Sequence, residues 1–302
     1  MIPSERLKGI EAFVCAADSG SFTAAAVRLN LTNSAISKGI ARLEARLGSR
    51  LFERTTRRLV LTDQGEAFYA TCVRVLADLA DAEAVLAAHG SEPVGRLKVD
   101  VPIAFGRIQV LPLLLSFAER YPHLRPNITF TDRFVDVIEE GVDVGVRIGA
   151  SQVWAEGLGR RYLGTERVIF CASPAYLDRR GTPQSADDLC DYDCVLYGKA
   201  DGSTITWRFG QGEKAAELRA MEGRIVLGSA EAQVGAVKAG FGVAQLATWL
   251  IKDELSRGEL VEILPHLATD GLPLHLVWPR SRQLSPKVDA LLDVLANGLR
   301  ID

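Results

Sequence analysis

The first sixty residues alternate apolar and polar positions at the three- and four-residue spacing of amphipathic helices. Five apolar residues that would share one face predict a first helix: Leu7, Ile10, Phe13, Val14 and Ala17. A second, short helix is predicted from Ser21 to about Asn30, and a third begins at Asn33 after the dipeptide Leu31-Thr32. On the third helix four apolar residues recur at helical spacing and are predicted to pack inward: Ile36, Ile40, Leu43 and Leu47.

The polar face of the third helix indicates contact with DNA. Two short helices joined by a tight turn form the helix-turn-helix pattern, whose second helix enters the major groove. Ser37, Lys38 and Arg42 would face away from the apolar stripe, where short polar and cationic side chains suit base edges and phosphates. Residues 50–62 then predict a β-hairpin wing with arginines at its tip. The predicted DNA-binding residues are Thr23, Thr32, Asn33, Ser34, Ser37, Lys38, Arg42, Arg54, Thr55, Arg57 and Arg58.

This N-terminal region resembles the LysR-type transcriptional regulators. Five short motifs at uninterrupted spacing carry the resemblance: SFTAAA at 21–26, SAISK at 34–38, LEARLG at 43–48, LFER at 51–54 and LTDQGE at 61–66. Asn33 stands where the family more often has glutamine, and Lys38 stands where it more often has arginine or histidine. These departures affect which operator sequence is bound. The remainder resembles the family's effector domain, in the branch that bears the motifs at 132–136 and 141–143.

A long helix is predicted from Glu66 to about Ala88, a stretch that contains neither glycine nor proline. Its apolar residues alternate four- and three-residue steps, which is typical of a coiled-coil seam: Phe68, Cys72, Val75, Leu79, Ala82 and Leu86. Such a seam needs a partner helix, although the helix could instead lie on the core of its own domain. The resemblance implies antiparallel linker helices that form a homodimer or homotetramer. Gly90–Gly95 predicts a hinge.

Beyond the hinge, predicted strands alternate with predicted helices, which indicates sheets covered by helices. Strands are predicted at 97–101, 128–130, 142–147, 168–172, 225–228 and 274–278. Helices are predicted at 111–121, 134–140, 184–189, 230–239, 247–257 and 286–299. The fold class is therefore an all-α winged helix-turn-helix head with a long linker helix, followed by an α/β effector domain. The resemblance implies that this domain has two lobes like a periplasmic binding protein.

The domain boundaries follow from these predictions. Residues 1–65 form the winged helix-turn-helix domain, 66–90 the linker and dimerisation helix, and 91–302 the effector-binding domain. We place lobe I at 95–163 and 270–302, and lobe II at 164–269. The chain is expected to cross between the lobes near 162–164 and near 269–271.

A small-molecule site is predicted where strands end in the effector domain, since open sheets bind ligands there. The resemblance implies that eight residues line the cleft between the lobes: Ile103, Ala104, Phe105, Arg147, Thr204, Thr206, Ser229 and Thr248. Ser229 could instead serve only as a helix cap, and Arg147 could form a structural ion pair. Ala104 stands where this branch often has serine, so one hydroxyl is missing. Backbone N–H donors, one cation and a hydroxyl suit a small organic acid.

Composition and charge limit the classes of protein to which this chain can belong. The net charge is −3, but residues 1–62 hold ten Lys and Arg against five Asp and Glu, so the head carries +5 and the remainder −8. Neither a secretion signal nor a membrane-spanning stretch is predicted. The five cysteines, including Cys171 and the close pair Cys190 and Cys194, are predicted to be structural thiols in a cytoplasmic protein.

The sequence predicts no catalysis. The four histidines have no metal-binding spacing, and no Gly-x-Ser-x-Gly elbow, phosphate loop or dinucleotide fingerprint is present. We therefore expect no catalytic residue, metal or cofactor. The predicted partners are an operator in double-stranded DNA and a small effector, with RNA polymerase as a candidate contact and no membrane.

The predicted function is that of a LysR-type regulator whose effector shifts the arrangement of the lobes and hence the spacing of paired heads on DNA. The sequence leaves two alternative functions open. One is an effector-independent repressor or architectural DNA-binding protein. The other is a metabolic enzyme with an accessory winged helix.

Overall fold

A computed structural model describes residues 4–54, 59–87, 92–133, 135–149, 155–211 and 214–301. The chain forms two compact units, Met1–Gly90 and Ser91–Asp302. The first unit contains the predicted helix-turn-helix, and the second contains a mixed sheet with helices. Each unit has its own buried apolar cluster.

The described residues of the N-terminal unit form four helices and one two-stranded hairpin. In chain order the elements are α1 (Ser4–Ser19), α2 (Phe22–Arg28), α3 (Asn33–Leu47), β1 (Phe52–Arg54), β2 (Leu59–Leu61) and α4 (Asp63–Ala87). The strands pair antiparallel, with Phe52 opposite Leu61 and Arg54 opposite Leu59. These residues form the wing that the sequence predicts, and its tip at 55–58 lies outside the described residues.

Side-chain caps define the ends of the two helix-turn-helix helices. The Ser21 hydroxyl accepts a hydrogen bond from the backbone N–H of Ala24 at the start of α2, and Thr32 does the same for Ala35 at the start of α3. Both caps satisfy backbone donors that have no partner inside the helix. Helix α3 ends at Gly48, whose φ of 68° is the left-handed conformation that suits glycine.

An aromatic cluster forms the core of the head. Phe13 is fully buried, and its ring centroid lies 5.3 Å from that of Phe52 and 5.5 Å from that of Phe68. Three of the four predicted inward residues of α3 are buried: Ile36, Ile40 and Leu43. The prediction for Leu47 is wrong, because this side chain is 40% exposed. Leu47 is the last residue of α3, so the helix ends before that face reaches a packing partner.

Helix α4 changes its environment along its length. Phe68 and Cys72, near its start, pack on the core of the head, and burial raises the pKa of the Cys72 thiol to about 11. Val75 and Leu79, further along the same stripe, remain 41% and 39% exposed. The side chains of Ala82 and Leu86 lie outside the described residues. The start of the helix therefore packs within its own domain, whereas Val75 and Leu79 leave an apolar face uncovered.

The effector unit is built on a seven-stranded sheet. Six strands follow the order β11-β6-β13-β5-β3-β4, and β12 pairs with β6 outside that path. The strands of this sheet are β3 (Gly95–Val101), β4 (Leu124–Phe130), β5 (Val144–Ile148), β6 (Leu158–Ala172), β11 (Ala244–Ala247), β12 (Val261–Ile263) and β13 (Thr269–Pro279). Strands β3, β4 and β5 are parallel, and β13 runs antiparallel to both β5 and β6. Two smaller sheets pair β7 (Val195–Tyr197) with β10 (Ile225–Leu227) and β8 (Trp207–Gln211) with β9 (Lys214–Arg219).

The helices of the effector unit divide it into two lobes. The helical segments are α5 (Ile103–Phe105), a π-helical stretch (Gly106–Val110), α6 (Leu111–Arg120), α7 (Pro174–Arg180), α8 (Ala230–Lys238), α9 (Lys252–Ser256) and α10 (Pro286–Gly298). One apolar cluster packs β3–β5 against the helices α6 and α10 and also includes Val168, Ala247 and Trp249. A smaller cluster contains Val135, Val137, Val142 and Val277. The second lobe has two apolar clusters, around β6, β7 and β11. The long strands β6 and β13 run through both lobes.

Three predicted helices are wrong. Of the helix predicted at 134–140, residue 134 lies outside the described residues and 137–140 form turns, because the Asp136 carboxylate accepts hydrogen bonds from the backbone N–H groups of Ile138 and Glu139. Asp188 similarly binds the N–H groups at 184 and 185, and only a 3₁₀ turn at Asp188–Asp191 forms there. Such local side-chain bonds compete with helix formation. At 247–257 the chain forms the end of β11, a turn and the short α9.

The strands at 195–197, 207–211, 214–219, 244–247 and 261–263 were not predicted. Most are short, and some pair with strands far away in sequence. No single helix among the described residues is long and apolar enough to cross a membrane; only the bent pair Gly9–Ser19 and Phe22–Arg28, with 119° between its members, has enough length and apolar character together.

The exposed stripe of α4 predicts that a second copy of the chain covers it. Leu79→Glu would place a charge in that interface, where no water can solvate it. We expect sedimentation velocity to show the loss of the wild-type oligomer. Ala77→Glu adds the same charge on another exposed face of the helix and should keep the wild-type mass. An unchanged oligomeric mass for Leu79→Glu would show that α4 does not form the interface.

Candidate functional site

The DNA-binding residues that the sequence predicts on α2 and α3 lie on one solvent-facing surface. Asn33, at the start of α3, donates from Nδ2 to the hydroxyl of Thr23 on α2 at 3.0 Å. The Ser37 hydroxyl donates to Oδ1 of the same amide at 3.4 Å. This chain of hydrogen bonds orients the Asn33 amide and links the two helices. Four further predicted residues are exposed around it: Thr32, Ser34, Lys38 and Arg42.

The wing carries the rest of the predicted DNA contacts. Arg54 is the last residue of β1, and nothing is described of its side chain. Thr55, Arg57 and Arg58 lie outside the described residues. The wing is joined to α3 through Glu44, whose Oε1 accepts hydrogen bonds from the backbone N–H groups of Leu51 and Phe52. This carboxylate positions the base of the wing next to the end of α3.

A cavity of about 670 Å³ lies in the effector unit, between the ends of strands from both lobes. Its volume is typical of sites for small metabolites. Five of the eight predicted effector-binding residues line it: Ala104, Phe105, Arg147, Thr204 and Thr206. The first lobe contributes the residues that follow β3 and β5, and the second lobe contributes residues around β8 and β11.

Three predicted effector-binding residues do not line the cavity. Ser229 caps α8, where its hydroxyl accepts a hydrogen bond from the N–H of Ala232 at 3.3 Å. The Thr248 hydroxyl donates to the carbonyl of Arg167. Ile103 is adjacent to the cavity, and its N–H donates to Asp132 at 2.9 Å. In each case a neighbour lines the cavity instead: Ala230 and Gln233 on α8, Trp249, and Ala104.

Arg147 lines the cavity but is held by an ion pair. Its Nη1 lies 2.6 Å from Oδ1 of Asp100, and both side chains are almost completely buried. The same nitrogen donates to the carbonyl of Val146 at 2.9 Å. Nη2 of Arg147 is buried without a hydrogen-bond partner among the described residues. Because its charge is neutralised by Asp100, Arg147 supplies little attraction for an anion. Of the two roles that the sequence left open, the structure shows the ion pair.

Three cations that the sequence analysis missed line the same cavity: Arg133, Lys199 and Arg208. None of them forms an ion pair or a side-chain hydrogen bond with another residue in the described part of the chain. Lys199 lies in the loop 198–203, which contains a lysine and glycines. A cation in a loop next to the predicted cleft residues could have indicated that Lys199 lines the cavity. Arg208 had no such signal, because its strand was not predicted.

Local hydrogen bonds position these cations. A tight turn holds Lys199, whose N–H donates to the carbonyl of Ser203 at 2.7 Å, and the N–H of Gly202 donates back to the Lys199 carbonyl. The Gln245 side-chain amide binds both the N–H and the carbonyl of Arg208, which ties β8 to β11. These cavity-lining groups are therefore fixed by backbone contacts, while their charged ends remain free for a ligand.

Glu166 is the buried acid of the cavity. Its side chain accepts hydrogen bonds from the indole N–H of Trp249 and from the backbone N–H of Leu272, both at 3.0 Å. Burial raises the pKa of Glu166, and the two hydrogen bonds and the nearby charge of Arg208 oppose that rise. No basic side chain among the described residues forms an ion pair with it.

Two polar contacts connect the lobes, one of them between residues that line the cavity. Arg107, in the π-helical stretch, forms an ion pair with Glu231 on α8 at 2.9 Å. Tyr197, at the end of β7, donates its hydroxyl to Asp132 at 3.4 Å. Both contacts are partly exposed, so each contributes little to stability and can break at low cost. Apolar side chains also connect the two sides of the cavity, because the rings of Phe105 and Trp249 lie 5.0 Å apart between centroids within one buried cluster.

The described residues show no site for metal or nucleophilic chemistry. No group of three or more His, Cys, Asp and Glu side chains is placed to hold a metal ion. Burial raises the pKa of the Cys171 and Cys194 thiols, which disfavours the reactive thiolate. The described cysteines are all free. The arrangement can bind a small ligand, and nothing in it resembles an acid–base or nucleophilic constellation.

Two family models match the chain almost end to end. Residues 7–66 match a bacterial regulatory helix-turn-helix protein of the lysR family, and residues 90–300 match a LysR substrate binding domain. An uncharacterized HTH-type transcriptional regulator of Haemophilus influenzae is 33% identical over 287 residues, which cover 95% of this chain and 98% of the relative. The HTH-type transcriptional regulator CrgA of Neisseria meningitidis is 32% identical, with 95% of each chain covered.

Solved structures show the same architecture. The structure of CrgA superimposes with a TM-score of 0.61 at 31% identity and covers 96% of this chain and 97% of its own. Full-length AphB, a virulence activator of Vibrio cholerae, has a TM-score of 0.62 at 23% identity and covers 97% of this chain and 99% of its own. The second likeness concerns the fold alone.

The buried Arg147–Asp100 pair predicts a large loss of stability when the cation is removed. Arg147→Met leaves Asp100 buried without its partner and should lower the free energy of unfolding by about 3–5 kcal/mol. The loss should shrink toward pH 5, because removal of Arg147 raises the Asp100 pKa further and protonation removes the buried charge. Urea unfolding followed by tryptophan fluorescence measures it, since all four tryptophans lie beyond residue 91.

Two further variants control this experiment. The double variant Asp100→Asn/Arg147→Met should recover much of the lost stability, because no buried charge remains. Arg161→Met removes a surface cation 4.0 Å from Asp293 and should change stability by less than about 1 kcal/mol. If Arg147→Met is as stable as the wild type, the pair is not structural.

Proposed function

The chain belongs to the LysR family of bacterial transcriptional regulators, and from this premise we propose that it controls its target genes in the cytoplasm by sensing a small organic acid. It is a DNA-binding regulator with an effector domain, and its relatives are named as transcriptional regulators rather than enzymes. The observation that carries the choice of effector is the set of unpaired cations in the cavity.

Asn33, Ser37 and Lys38 are proposed to enter the major groove of the operator. Support comes from their shared exposed surface at the start of α3 and from the orientation of the Asn33 amide by Thr23. An oriented amide can form a bidentate pair with adenine, whereas cations such as Arg42 suit phosphates or guanine. LysR regulators act as oligomers, so paired heads would bind two half-sites, with RNA polymerase as a further candidate contact.

An anionic effector fits the charges of the cavity. Arg133, Lys199 and Arg208 carry free charges, while the only acids lining the cavity among the described residues are Asp132 and Glu166. Asp132 is already engaged by Ile103 and Tyr197. A carboxylate bound by Lys199 and Arg208 would gain charge-assisted hydrogen bonds in a partly desolvated site. An effector-independent repressor would not need these three unpaired cations.

The proposed switch is a change in the separation of the lobes. Arg133 belongs to the first lobe, whereas Lys199 and Arg208 belong to the second, so one anion can bridge both. A ligand that binds one arrangement more tightly shifts the population toward it. The weak Arg107–Glu231 and Tyr197–Asp132 contacts set the balance in the absence of effector.

We also propose that the chain falls in the branch of the family that bears the motifs at 132–136 and 141–143. Each acid of these motifs has a defined role that supports this placement. Asp132 binds the N–H of Ile103 at the cavity, and Asp136 caps the turn that follows. Asp143 accepts from the N–H of Lys98 and forms an ion pair with Arg282.

Substitutions in α3 should separate base recognition from phosphate binding. DNA fragments selected by the wild type from a random library serve as probes in fluorescence anisotropy. Asn33→Ala should cost roughly 1–3 kcal/mol at one operator position and leave other positions unchanged. Arg42→Ala should weaken all sequences and lower the salt dependence by about one unit. Equal, sequence-independent losses in both variants would contradict the assignment.

The effector proposal is tested with carboxylic acids that stabilise the wild type in a thermal-shift screen. Lys199→Met and Arg208→Met should each weaken their binding by roughly 1.5–3 kcal/mol, because a charged hydrogen bond is lost. Calorimetry measures this loss, and DNA affinity without effector should stay unchanged. Lys252→Met removes an exposed lysine outside the cavity and serves as the control. Wild-type affinity in both cavity variants would show that the acid binds elsewhere.

A further inference from the structure

Glu166 occupies an unusual position for a structural residue. Its side chain is only 7% exposed, yet it lines the cavity, and no cation among the described residues pairs with it. Buried carboxylates are normally compensated by a cation or a metal, because an uncompensated buried charge is costly. The raised pKa of Glu166 expresses that cost. The described part of the chain therefore gives this acid no ion-pair partner, although the charge of Arg208 is near enough to oppose the rise in its pKa.

The two hydrogen bonds to Glu166 do not occupy all the acceptor positions of its carboxylate. Trp249 donates to Oε2 and Leu272 donates to Oε1, so each oxygen has one partner. An ionised carboxylate has about four acceptor positions, two on each oxygen. Both donors are neutral and come from elements that also line the cavity. Glu166 is thus held in a fixed place and still has acceptor capacity.

The surrounding backbone is shaped to make room for this acid. Gly271 lines the cavity beside it, and a Cβ atom at this position would lie 2.6 Å from Cγ of Glu166 and 2.8 Å from its Oε1. The pairing of β13 with β6 is irregular between Asp270 and Pro273, which frees the N–H of Leu272 for the carboxylate. Glycine at 271 therefore allows Glu166 its present position.

We infer that Glu166 is the acidic pole of the effector site, so that the effector is an organic acid that also carries a protonated amine. The inference rests on the proposed function, which assigns the carboxylate of that effector to Lys199 and Arg208. The two ends of such a zwitterion complement the two kinds of charge that line the cavity. An ammonium group would supply the direct ion-pair partner that Glu166 lacks among the described residues, in a partly buried site where a charge-assisted hydrogen bond is strong.

The experiment compares acids with and without an amine on the full-length protein. The probes are the common L-amino acids, each paired with the acid that lacks only the α-amino group, and γ-aminobutyrate and 6-aminohexanoate paired with butyrate and hexanoate. We expect calorimetry to show at least one pair in which the amine tightens binding roughly tenfold or more. The corresponding acid without the amine should bind through the cations alone.

Two substitutions then assign the preference to Glu166. Glu166→Gln keeps the shape of the side chain and removes its charge, and Gly271→Ala displaces the carboxylate without altering it. Both should reduce the amine preference to about threefold or less, because binding of the amino partner weakens relative to that of the amine-free acid. Glu222→Gln, on the exposed surface, is the matched control and should keep the preference. Tryptophan fluorescence confirms that each variant is folded.

The outcomes separate this inference from the proposed function. If amine-free acids bind through Lys199 and Arg208 as tightly as their amino partners, the inference fails and the proposed function stands. An amine preference that survives in both Glu166→Gln and Gly271→Ala would also overturn the inference, because the amine is then bound elsewhere. If no acid of either series binds, the proposal of a carboxylate effector and this inference fail together.

Discussion

The antiparallel pairing of β6 with β13 is the constraint on which the effector unit depends. The two strands pair from Leu158 opposite Pro279 to Val168 opposite Thr269, and both run through the two lobes. Their register shifts twice, between Asp270 and Pro273 and between Leu274 and His275. At the first shift a backbone N–H leaves the ladder and binds Glu166. This irregularity therefore builds part of the cavity wall.

In the effector unit, some charged side chains are neutralised by a buried ion pair and others are not. Arg147 and Asp100 neutralise each other inside the first lobe, so this ion pair holds β5 to β3 and contributes little field to the cavity. Lys199 and Arg208 are held by backbone contacts that leave their charged ends free. Glu166 is the reverse case, a buried acid with two neutral hydrogen-bond donors and no ion-pair partner among the described residues. The buried charges of Arg147 and Asp100 are thus paired, whereas Lys199, Arg208 and Glu166 line the cavity without an ion pair among the described residues.

In the head (residues 1–62), the helices are defined by contacts between residues that lie close together in the chain. Caps at Ser21 and Thr32 start its two DNA-binding helices, and an aromatic cluster around Phe13 packs them against α4. Gly65 lets the start of α4 approach the wing so closely that a Cβ atom would lie 2.1 Å from the carbonyl oxygen of Leu51. Residues 1–62 also carry the positive charge of the chain, which suits a surface that binds phosphates.

The sequence by itself determined the head and its family, because caps, helical periodicity and turn residues act over a few positions and leave a direct pattern. It also indicated the βα alternation, Ala104 and Phe105 after the first strand, and an ion pair as one role of Arg147. It could not place Lys199, Arg208 or Glu166 at one cavity, because β8, β11 and β13 come together through pairing between residues far apart in the chain. The helix predicted at 134–140 was lost to an acid that binds its own backbone. Only tertiary structure decided which charges were neutralised and which stayed free, since that depends on distances and burial that no local pattern records.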